Sequence, residues 1–137
     1  MTLVKENGTA NGNGTTNGQG TGRRVLLVDD TADIRLMLRL QLQTAGVDFQ
    51  EASSGEEALT LCGRDPFDLV LLDYRMPGLT GVEVAKKLRA VGYGAPIVIY
   101  SAYVNMALEA DARQLDVPVI DKADQKTLRE TVASVVS

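Results

Sequence analysis

Short apolar runs alternate with amphipathic stretches along the chain from Arg23 onward. In the amphipathic stretches, apolar residues recur every three or four positions, which predicts helices with one buried face. The runs are rich in apolar residues and fit buried strands; they are residues 25–28, 47–52, 69–72, 97–100 and 117–120. Five strand–helix repeats predict an α/β domain in which helices cover both faces of a parallel sheet.

The residues within each run predict its place in the sheet. Residues 69–72 and 97–100 are apolar throughout, as expected of central strands. Pro118 lacks an N–H group, which favours an edge position for the last strand. The second strand alternates Val47, Phe49 and Glu51 with polar residues, which favours the other edge. The predicted fold is therefore a five-stranded parallel sheet in the order 2-1-3-4-5, the flavodoxin-like (βα)5 arrangement, with the first and third strands adjacent.

Several helix ends are marked by polar residues and glycines. Ser54 with Glu57, and Thr80 with Glu83, have the spacing of capping boxes. Asp124 is expected to cap the last helix. The glycines expected to end helices are Gly46 and Gly92.

Residues 1–22 differ in composition from the rest of the chain. Between Asn7 and Gly22 the sequence consists almost entirely of Gly, Asn, Thr and Gln. Such a segment cannot bury enough apolar surface to offset its conformational entropy, so we predict a flexible tail followed by one domain over residues 23–137. A phosphate-binding loop is not predicted in the tail, because no strand precedes the glycines and no Gly-Lys-Ser/Thr follows them.

Composition narrows the function further. The 137 residues contain no histidine, which excludes histidine catalysis and histidine metal ligation within this chain. The single cysteine, Cys62, cannot form an internal disulfide and is expected to be a buried apolar residue of a cytoplasmic protein. A net charge of −4 and the absence of a long apolar segment give no reason to expect nucleic acid or a membrane as a partner.

Four of the five predicted strands lead into chemically reactive side chains: Asp29 and Asp30 after the first, Asp73 after the third, Ser101 after the fourth and Lys122 after the fifth. Open α/β sheets bind ligands beyond the carboxyl ends of their strands, where the strand order reverses. Converging carboxylates repel one another unless a cation joins them, and oxygen ligands favour a hard cation such as Mg²⁺. Any one of these residues could equally be a helix cap or a solvated charge. The whole set at one end of the sheet, however, indicates a functional site that binds a cation.

The motifs at these positions resemble those of the receiver domain of two-component response regulators. They are Leu-Leu-Val-Asp-Asp at residues 26–30, Leu-Leu-Asp-Tyr-Arg-Met-Pro-Gly at 71–78, Thr80-Gly81, Ser101-Ala102 and Lys122. The resemblance covers about residues 23–136. It implies that Asp73 accepts a phosphoryl group from a histidine kinase or a histidine phosphotransfer protein, and that the change switches binding to a downstream protein.

The resemblance also implies roles for the neighbouring residues. Asp30, Asp73 and the backbone carbonyl of Arg75 would bind Mg²⁺ directly, and Asp29 would act through water. Ser101 would bond a phosphoryl oxygen in the activated state, while Lys122 would pair with the phosphoryl group or with Asp73. Such a domain catalyses only its own phosphorylation and dephosphorylation, and is not an enzyme acting on other substrates.

The chain departs from the receiver pattern near the last strand. Receivers usually carry an aromatic residue three positions before the lysine and a proline after it, and here these are Val119 and Ala123. A trans Lys122–Ala123 peptide is therefore expected, since cis bonds are rare outside proline. In receivers, the residues two positions after the acceptor and two after the hydroxyl residue flank the path of the hydrolytic water. By this resemblance they are Arg75 and Tyr103 here, and because both are large we expect them to lengthen the life of the phosphorylated state.

Two other functions remain open at this point. The altered last strand is compatible with a pseudo-receiver, an interaction module that works without phosphorylation. A haloacid-dehalogenase-like phosphatase also forms an aspartyl phosphate, but its motif is Asp-x-Asp after the first strand, whereas Asp29 and Asp30 are adjacent. The sequence leaves open the kinase, the downstream partner, the oligomeric state, and whether an effector domain accompanies this one.

Overall fold

The computed structural model of the protein describes residues 22–136, so the predicted tail, apart from Gly22, lies outside the described residues. Within this part of the chain, five strands and five helices alternate. The strands are β1 (Arg24–Val28), β2 (Asp48–Ala52), β3 (Leu69–Asp73), β4 (Ile97–Ser101) and β5 (Val119–Asp121). The helices are α1 (Ala32–Thr44), α2 (Gly55–Arg64), α3 (Gly81–Ala90), α4 (Met106–Gln114) and α5 (Gln125–Val136).

The strands form one parallel sheet in the order β2-β1-β3-β4-β5, which confirms the predicted fold. Successive side chains of a strand point to opposite faces, so each strand contributes to two apolar cores. In β1, Leu26 and Val28 pack in the core that contains residues of α2, α3 and α4, whereas Val25 and Leu27 pack with residues of α1 and α5. The two strands predicted to be central from their apolar runs, β3 and β4, are buried over their whole length.

Two strands begin later in the structure than the sequence predicts, and other strand ends differ from the predicted runs by one residue. The second strand begins at Asp48, because the N–H of Val47 bonds the carbonyl of Leu42 and closes the end of α1. The fifth begins at Val119, so Pro118 lies just before the edge strand, where its carbonyl still accepts a bond from the N–H of Ile99.

The helix ends follow the predictions with one exception. Thr80 and Glu83 form the reciprocal capping box, and Asp124 accepts from the N–H of Thr127 at 3.1 Å. Ser54 caps α2, but the Glu57 carboxylate bonds the N–H of Ser53 instead of that of Ser54. Of the capping box predicted for Ser54 and Glu57, the bond to the Ser54 side chain is therefore present, whereas the predicted bond from Glu57 to the Ser54 backbone is replaced by one to Ser53. The glycines predicted to end helices, Gly46 and Gly92, have φ of 73° and 76°, and the predicted buried cysteine, Cys62, lies in the core.

Candidate functional site

The predicted site residues come together at the carboxyl ends of the strands. Asp29 and Asp30 follow β1 directly, Asp73 is the last residue of β3, Ser101 is the last residue of β4, and Lys122 follows β5. Because β1 and β3 are neighbours, their aspartates meet at the point where the strand order reverses. This is the crevice in which the sequence predicted a ligand site.

Three carboxylates form the centre of the site. One oxygen each from Asp29, Asp30 and Asp73 lies within 4.8 Å of the other two. Asp29 and Asp73 are buried, and Asp30 is exposed. Burial raises the pKa of Asp73 to about 6, and repulsion from Asp29 and Asp30 adds to the effect against the opposing hydrogen bond from Lys122. A divalent cation among these oxygens would relieve that repulsion, and an all-oxygen donor set fits a hard ion such as Mg²⁺.

Lys122 bridges two of the carboxylates. Its Nζ lies 3.0 Å from Asp73 Oδ1 and 3.1 Å from Asp29 Oδ2. Burial alone would lower the pKa of Lys122, but hydrogen bonds to Asp73 and Asp29 raise it above its ordinary value. The ammonium group therefore remains charged and places positive charge against the acidic cluster.

The most buried carboxylate, that of Asp29, is held by groups from three parts of the chain. The N–H of Thr31 donates to Oδ1 at 2.7 Å, and the Tyr100 hydroxyl donates to Oδ2 at 3.0 Å, beside Lys122. Burial and the nearby Asp29 charge raise the pKa of Tyr100 well above its ordinary value, so the phenol keeps its proton. Sequence reasoning missed Tyr100, although a tyrosine in a buried strand signals a hydroxyl that needs a partner.

Arg35 of α1 is a second residue that sequence reasoning missed. Its Nη1 donates to the backbone carbonyl of Asp29 at 2.6 Å, while its Nε lies 3.3 Å from Glu51 on β2. Arg39 binds the same Glu51 carboxylate with two hydrogen bonds of 2.9 and 3.0 Å. The turn that carries the two adjacent aspartates is thereby tied to the edge strand.

Ser101 bonds within its own loop. Its hydroxyl donates to the carbonyl of Tyr103 at 2.9 Å and accepts from the N–H of Tyr103 at 3.1 Å. The side chain of Tyr103 is exposed, and the Arg75 guanidinium lies 6.0 Å from the centre of its ring. The two large residues expected to flank the site thus lie against each other, with Arg75 two positions after Asp73.

The turn that carries Lys122 is closed by side chains. The Lys122–Ala123 peptide is trans, as predicted. Asp121 accepts from the N–H of Ala123 at 2.8 Å, and Gln125 donates to the Lys122 carbonyl at 2.7 Å. Gln41 of α1 in turn donates to the Gln125 side chain at 2.8 Å, so α1 supports the Lys122 turn.

Helix α3 begins directly against the end of β3. The N–H of Gly81 bonds the Tyr74 carbonyl at 2.9 Å, and a Cβ at position 81 would lie 2.5 Å from the Asp73 carbonyl oxygen. No real Cβ approaches a backbone oxygen so closely, so only glycine fits here. The backbone of Asp73 is therefore held from the side of α3 as well.

A doubly wound sheet with three aspartates and a bridging lysine at its switch point defines a receiver-type signalling domain. The sequence profile of the response regulator receiver domain matches residues 25–133. The chain belongs to this family, the receiver domains of two-component systems.

Individual proteins with similar sequences support the same family assignment. Sporulation initiation phosphotransferase F of Bacillus subtilis is 29% identical over 92 residues, which are 67% of this chain and 74% of that protein. Response regulator MprA of Mycolicibacterium vanbaalenii is 42% identical over 79 residues, 58% of this chain. The chain spans about a third of the length of MprA, 34%.

Two solved structures show the same fold. The response regulator TrrA of Thermotoga maritima, in complex with Mg²⁺ and BeF, is 34% identical with a TM-score of 0.74, covering 82% of this chain and 98% of that one. In its complex with the histidine kinase ThkA, TrrA is 35% identical with a TM-score of 0.73, covering 84% and 99%. In residues 22–136 we find no helix long and apolar enough to cross a membrane.

Proposed function

We propose that this receiver domain takes a phosphoryl group on Asp73, with Mg²⁺, from a histidine kinase or histidine phosphotransfer protein of the cytoplasm. The observation that carries the proposal is the position of Lys122 Nζ, 3.0 Å from Asp73 and 3.1 Å from Asp29, beside three carboxylate oxygens within 4.8 Å of one another. That arrangement combines a nucleophile, a fixed cation and a cation site. The Mg²⁺–BeF complex of TrrA supports the choice of ion.

The chemistry follows from the residues. A carboxylate oxygen of Asp73 attacks the phosphorus, an acyl-phosphate O–P bond forms, and the P–N bond to the donor imidazole breaks with its electron pair leaving on the nitrogen. Such transfers need in-line positioning and neutralisation of the equatorial oxygens more than covalent assistance. Lys122 would pair with those oxygens from one side.

The cation would be held by Asp30, Asp73 and the backbone carbonyl of Arg75, with Asp29 acting through water. Bound there, Mg²⁺ supplies positive charge that screens the phosphoryl oxygens from the carboxylates. The protein residues have the remaining tasks: Lys122 and Tyr100 neutralise and orient Asp29, and the packing of Gly81 fixes the backbone of Asp73.

Phosphorylation would switch the loop after β4. The phosphoryl group adds charge and strong acceptor oxygens. The Ser101 hydroxyl would then exchange its local bonds to Tyr103 for a phosphoryl oxygen, and the loop would move with it. We expect the readout to be binding of a downstream protein, in keeping with the net charge of −4, which does not favour nucleic acid or a membrane surface.

The test is phosphorylation by a small-molecule phosphodonor. Incubation with acetyl phosphate and Mg²⁺ should add one phosphoryl group per chain by intact-mass spectrometry, and Asp73→Asn should abolish the addition. Asp111→Asn, at an exposed position of α4, is the matched control and should label like the parent. Equal labelling of the Asp73→Asn protein would contradict the acceptor assignment. A parent that takes no label but still binds a partner would favour the pseudo-receiver.

A further inference from the structure

Tyr100 is the largest side chain of the described residues that is fully buried. It precedes Ser101 in β4, and its ring packs in the core that contains residues of α1 and α5. Its hydroxyl lies 3.0 Å from Asp29 Oδ2 and 3.2 Å from the Val28 carbonyl. A phenol has one proton to donate, and the charged carboxylate is the stronger acceptor. The ring is thus anchored in the core while its hydroxyl reaches the acidic cluster.

Tyr100 also contacts the lysine of the site. Lys122 Nζ lies 5.0 Å from the centre of the Tyr100 ring and shares Asp29 Oδ2 with the Tyr100 hydroxyl. A cation over an aromatic face is attracted by the ring quadrupole. One side chain therefore lies against two of the charged groups beside Asp73, namely Asp29 and Lys122.

The burial of Asp29 shows why the hydroxyl matters. Asp29 has no exposed surface, so its charge must be compensated by donors in the protein. Thr31 supplies a donor to Oδ1, whereas Tyr100 and Lys122 supply the two donors to Oδ2. Without the phenol, Oδ2 would depend on Lys122 alone. The ammonium, which already lies between Asp29 and Asp73, would then be held there more tightly and would compete more strongly with a divalent cation.

We propose that Tyr100 is a positioning residue for divalent-cation binding, whose hydroxyl orients Asp29 and shares its charge so that Lys122 can yield to the incoming ion. The inference rests on the proposed function, since that function names the ion as Mg²⁺. It adds a residue of β4 that the sequence motifs do not include. Partners that orient metal-binding groups typically change metal affinity 10- to 100-fold when they are removed.

The test compares two tyrosine hydroxyls. Tyr100→Phe removes the phenol oxygen and keeps the ring. Tyr93→Phe is the matched control, because the Tyr93 hydroxyl also bonds backbone groups, accepting from Phe67 N–H at 2.9 Å and donating to the Asp65 carbonyl at 3.3 Å. These partners precede β3, so this control lies at the other end of the strands.

Mg²⁺ affinity is measured by titration calorimetry on the unphosphorylated full chain. We expect Tyr100→Phe to weaken Mg²⁺ binding about tenfold and Tyr93→Phe to leave it unchanged, although both lower the melting temperature. Parent-like or tighter binding by the Tyr100→Phe protein would overturn the inference and leave the proposed function standing. A parent chain that does not bind Mg²⁺ would overturn both.

A second measurement does not depend on the folding of the variant. In the parent chain labelled with ¹³C at tyrosine Cζ, Mg²⁺ should shift the Tyr100 resonance with the half-saturation found by calorimetry. The Tyr93 resonance should stay in place. Substituting each of the other three tyrosines by phenylalanine assigns the signal. A Tyr100 resonance that does not respond to saturating Mg²⁺ would contradict the inference.

Discussion

Two regions at the same end of the sheet are held in opposite ways. The acceptor cluster, Asp29, Asp30, Asp73 and Lys122, is joined by side chains that are far apart in sequence, such as Lys122 and Asp29. The output loop, residues 102–105 between β4 and α4, is held by local bonds, those of the Ser101 hydroxyl with Tyr103. Within the loop, Tyr103 is 70% exposed, and directly after it Met106, the first residue of α4, is 84% exposed.

The difference indicates which region can move at low cost. Displacing Lys122 breaks two contacts to buried carboxylates, whereas rearranging the output loop exchanges two local bonds of the Ser101 hydroxyl. Segments with few buried contacts open most easily. We therefore expect the three carboxylates of the acceptor cluster to keep their positions while the loop responds to phosphorylation, and the following substitutions test that division.

The largest effect is expected from Gly81→Ala, which crowds the acceptor cluster. The new Cβ would lie 2.5 Å from the Asp73 carbonyl oxygen, so α3 or the end of β3 must shift. Overpacking of this kind costs about 1–3 kcal/mol in the free energy of unfolding, and displacement of Asp73 should abolish phosphorylation. Urea unfolding and acetyl phosphate labelling measure the two effects.

The control for this substitution is Gly63→Ala, in α2. A Cβ there meets no atom within 4 Å, and alanine favours the helix. Its free energy of unfolding should rise by about 0.5–1 kcal/mol, with labelling unchanged. Similar behaviour of the two glycine variants would show that contact between α3 and β3 does not constrain the acceptor.

A smaller effect is expected from Asp73→Asn in metal-free buffer. The folded-state pKa of Asp73 is raised from 3.8 to about 6, so the folded chain holds this proton more tightly than the unfolded chain does. The stability gained from the proton is fully present below about pH 4 and is lost as the pH rises through about 6. Removing the charge should therefore raise the free energy of unfolding at pH 7 by about 1–2 kcal/mol, because the cost of burying the charge and its repulsion from Asp29 and Asp30 both disappear. The lost pairing with Lys122 reduces this gain.

Urea unfolding at pH 5 and pH 7 in the presence of a chelator measures this gain, which should be smaller at pH 5. Asp111→Asn, on the exposed surface of α4, should change neither value. A loss of stability on Asp73→Asn at pH 7 would mean that the pairing with Lys122 outweighs burial and repulsion.

The smallest effect on stability is expected from the double variant Arg75→Ala/Tyr103→Ala. Both side chains are exposed, and the Arg75 guanidinium lies 6.0 Å from the centre of the Tyr103 ring. The free energy of unfolding should therefore change by less than about 0.5 kcal/mol. We expect phosphorylated Asp73 to lose its label a few-fold faster, because water reaches it more easily. Label loss over time measures this, with Met106→Ala as the exposed control. If the double variant loses its label as slowly as the parent or more slowly, Arg75 and Tyr103 do not shield the phosphoryl group from water.

The fold was predictable because its signals are local. Apolar runs give the strands, and Thr80 with Glu83 caps α3 as the spacing predicts. The acceptor cluster was predictable as well, because residues at the carboxyl ends of parallel strands must meet. The choice between competing partners was not predictable: Glu57 bonds the N–H of Ser53 and not that of Ser54, which no spacing rule specifies.

The residues that support the cluster escaped the sequence analysis for a related reason. Tyr100 and Arg35 both act from a different element than the one that leads into Asp29: Tyr100 lies on β4, far from Asp29 in the sequence, and Arg35 lies on α1. Arg35 has the spacing of an ordinary charge on a helix, and only the position of α1 against β1 directs its guanidinium to the Asp29 carbonyl. Motifs thus identify the residues that react, while the packing of the sheet determines which residues orient them.

The contact between Tyr100 and Asp29 has an optical consequence. The chain has no tryptophan, four tyrosines and two phenylalanines, so its near-ultraviolet absorption and its fluorescence come mainly from phenols. One of these phenols donates to a buried carboxylate and lies under an ammonium group, 5.0 Å from its ring centre. Any change of charge at the acceptor cluster therefore alters the electric field on that chromophore. Tyrosine difference absorption should follow cation binding and phosphorylation in real time, with no label attached to the protein.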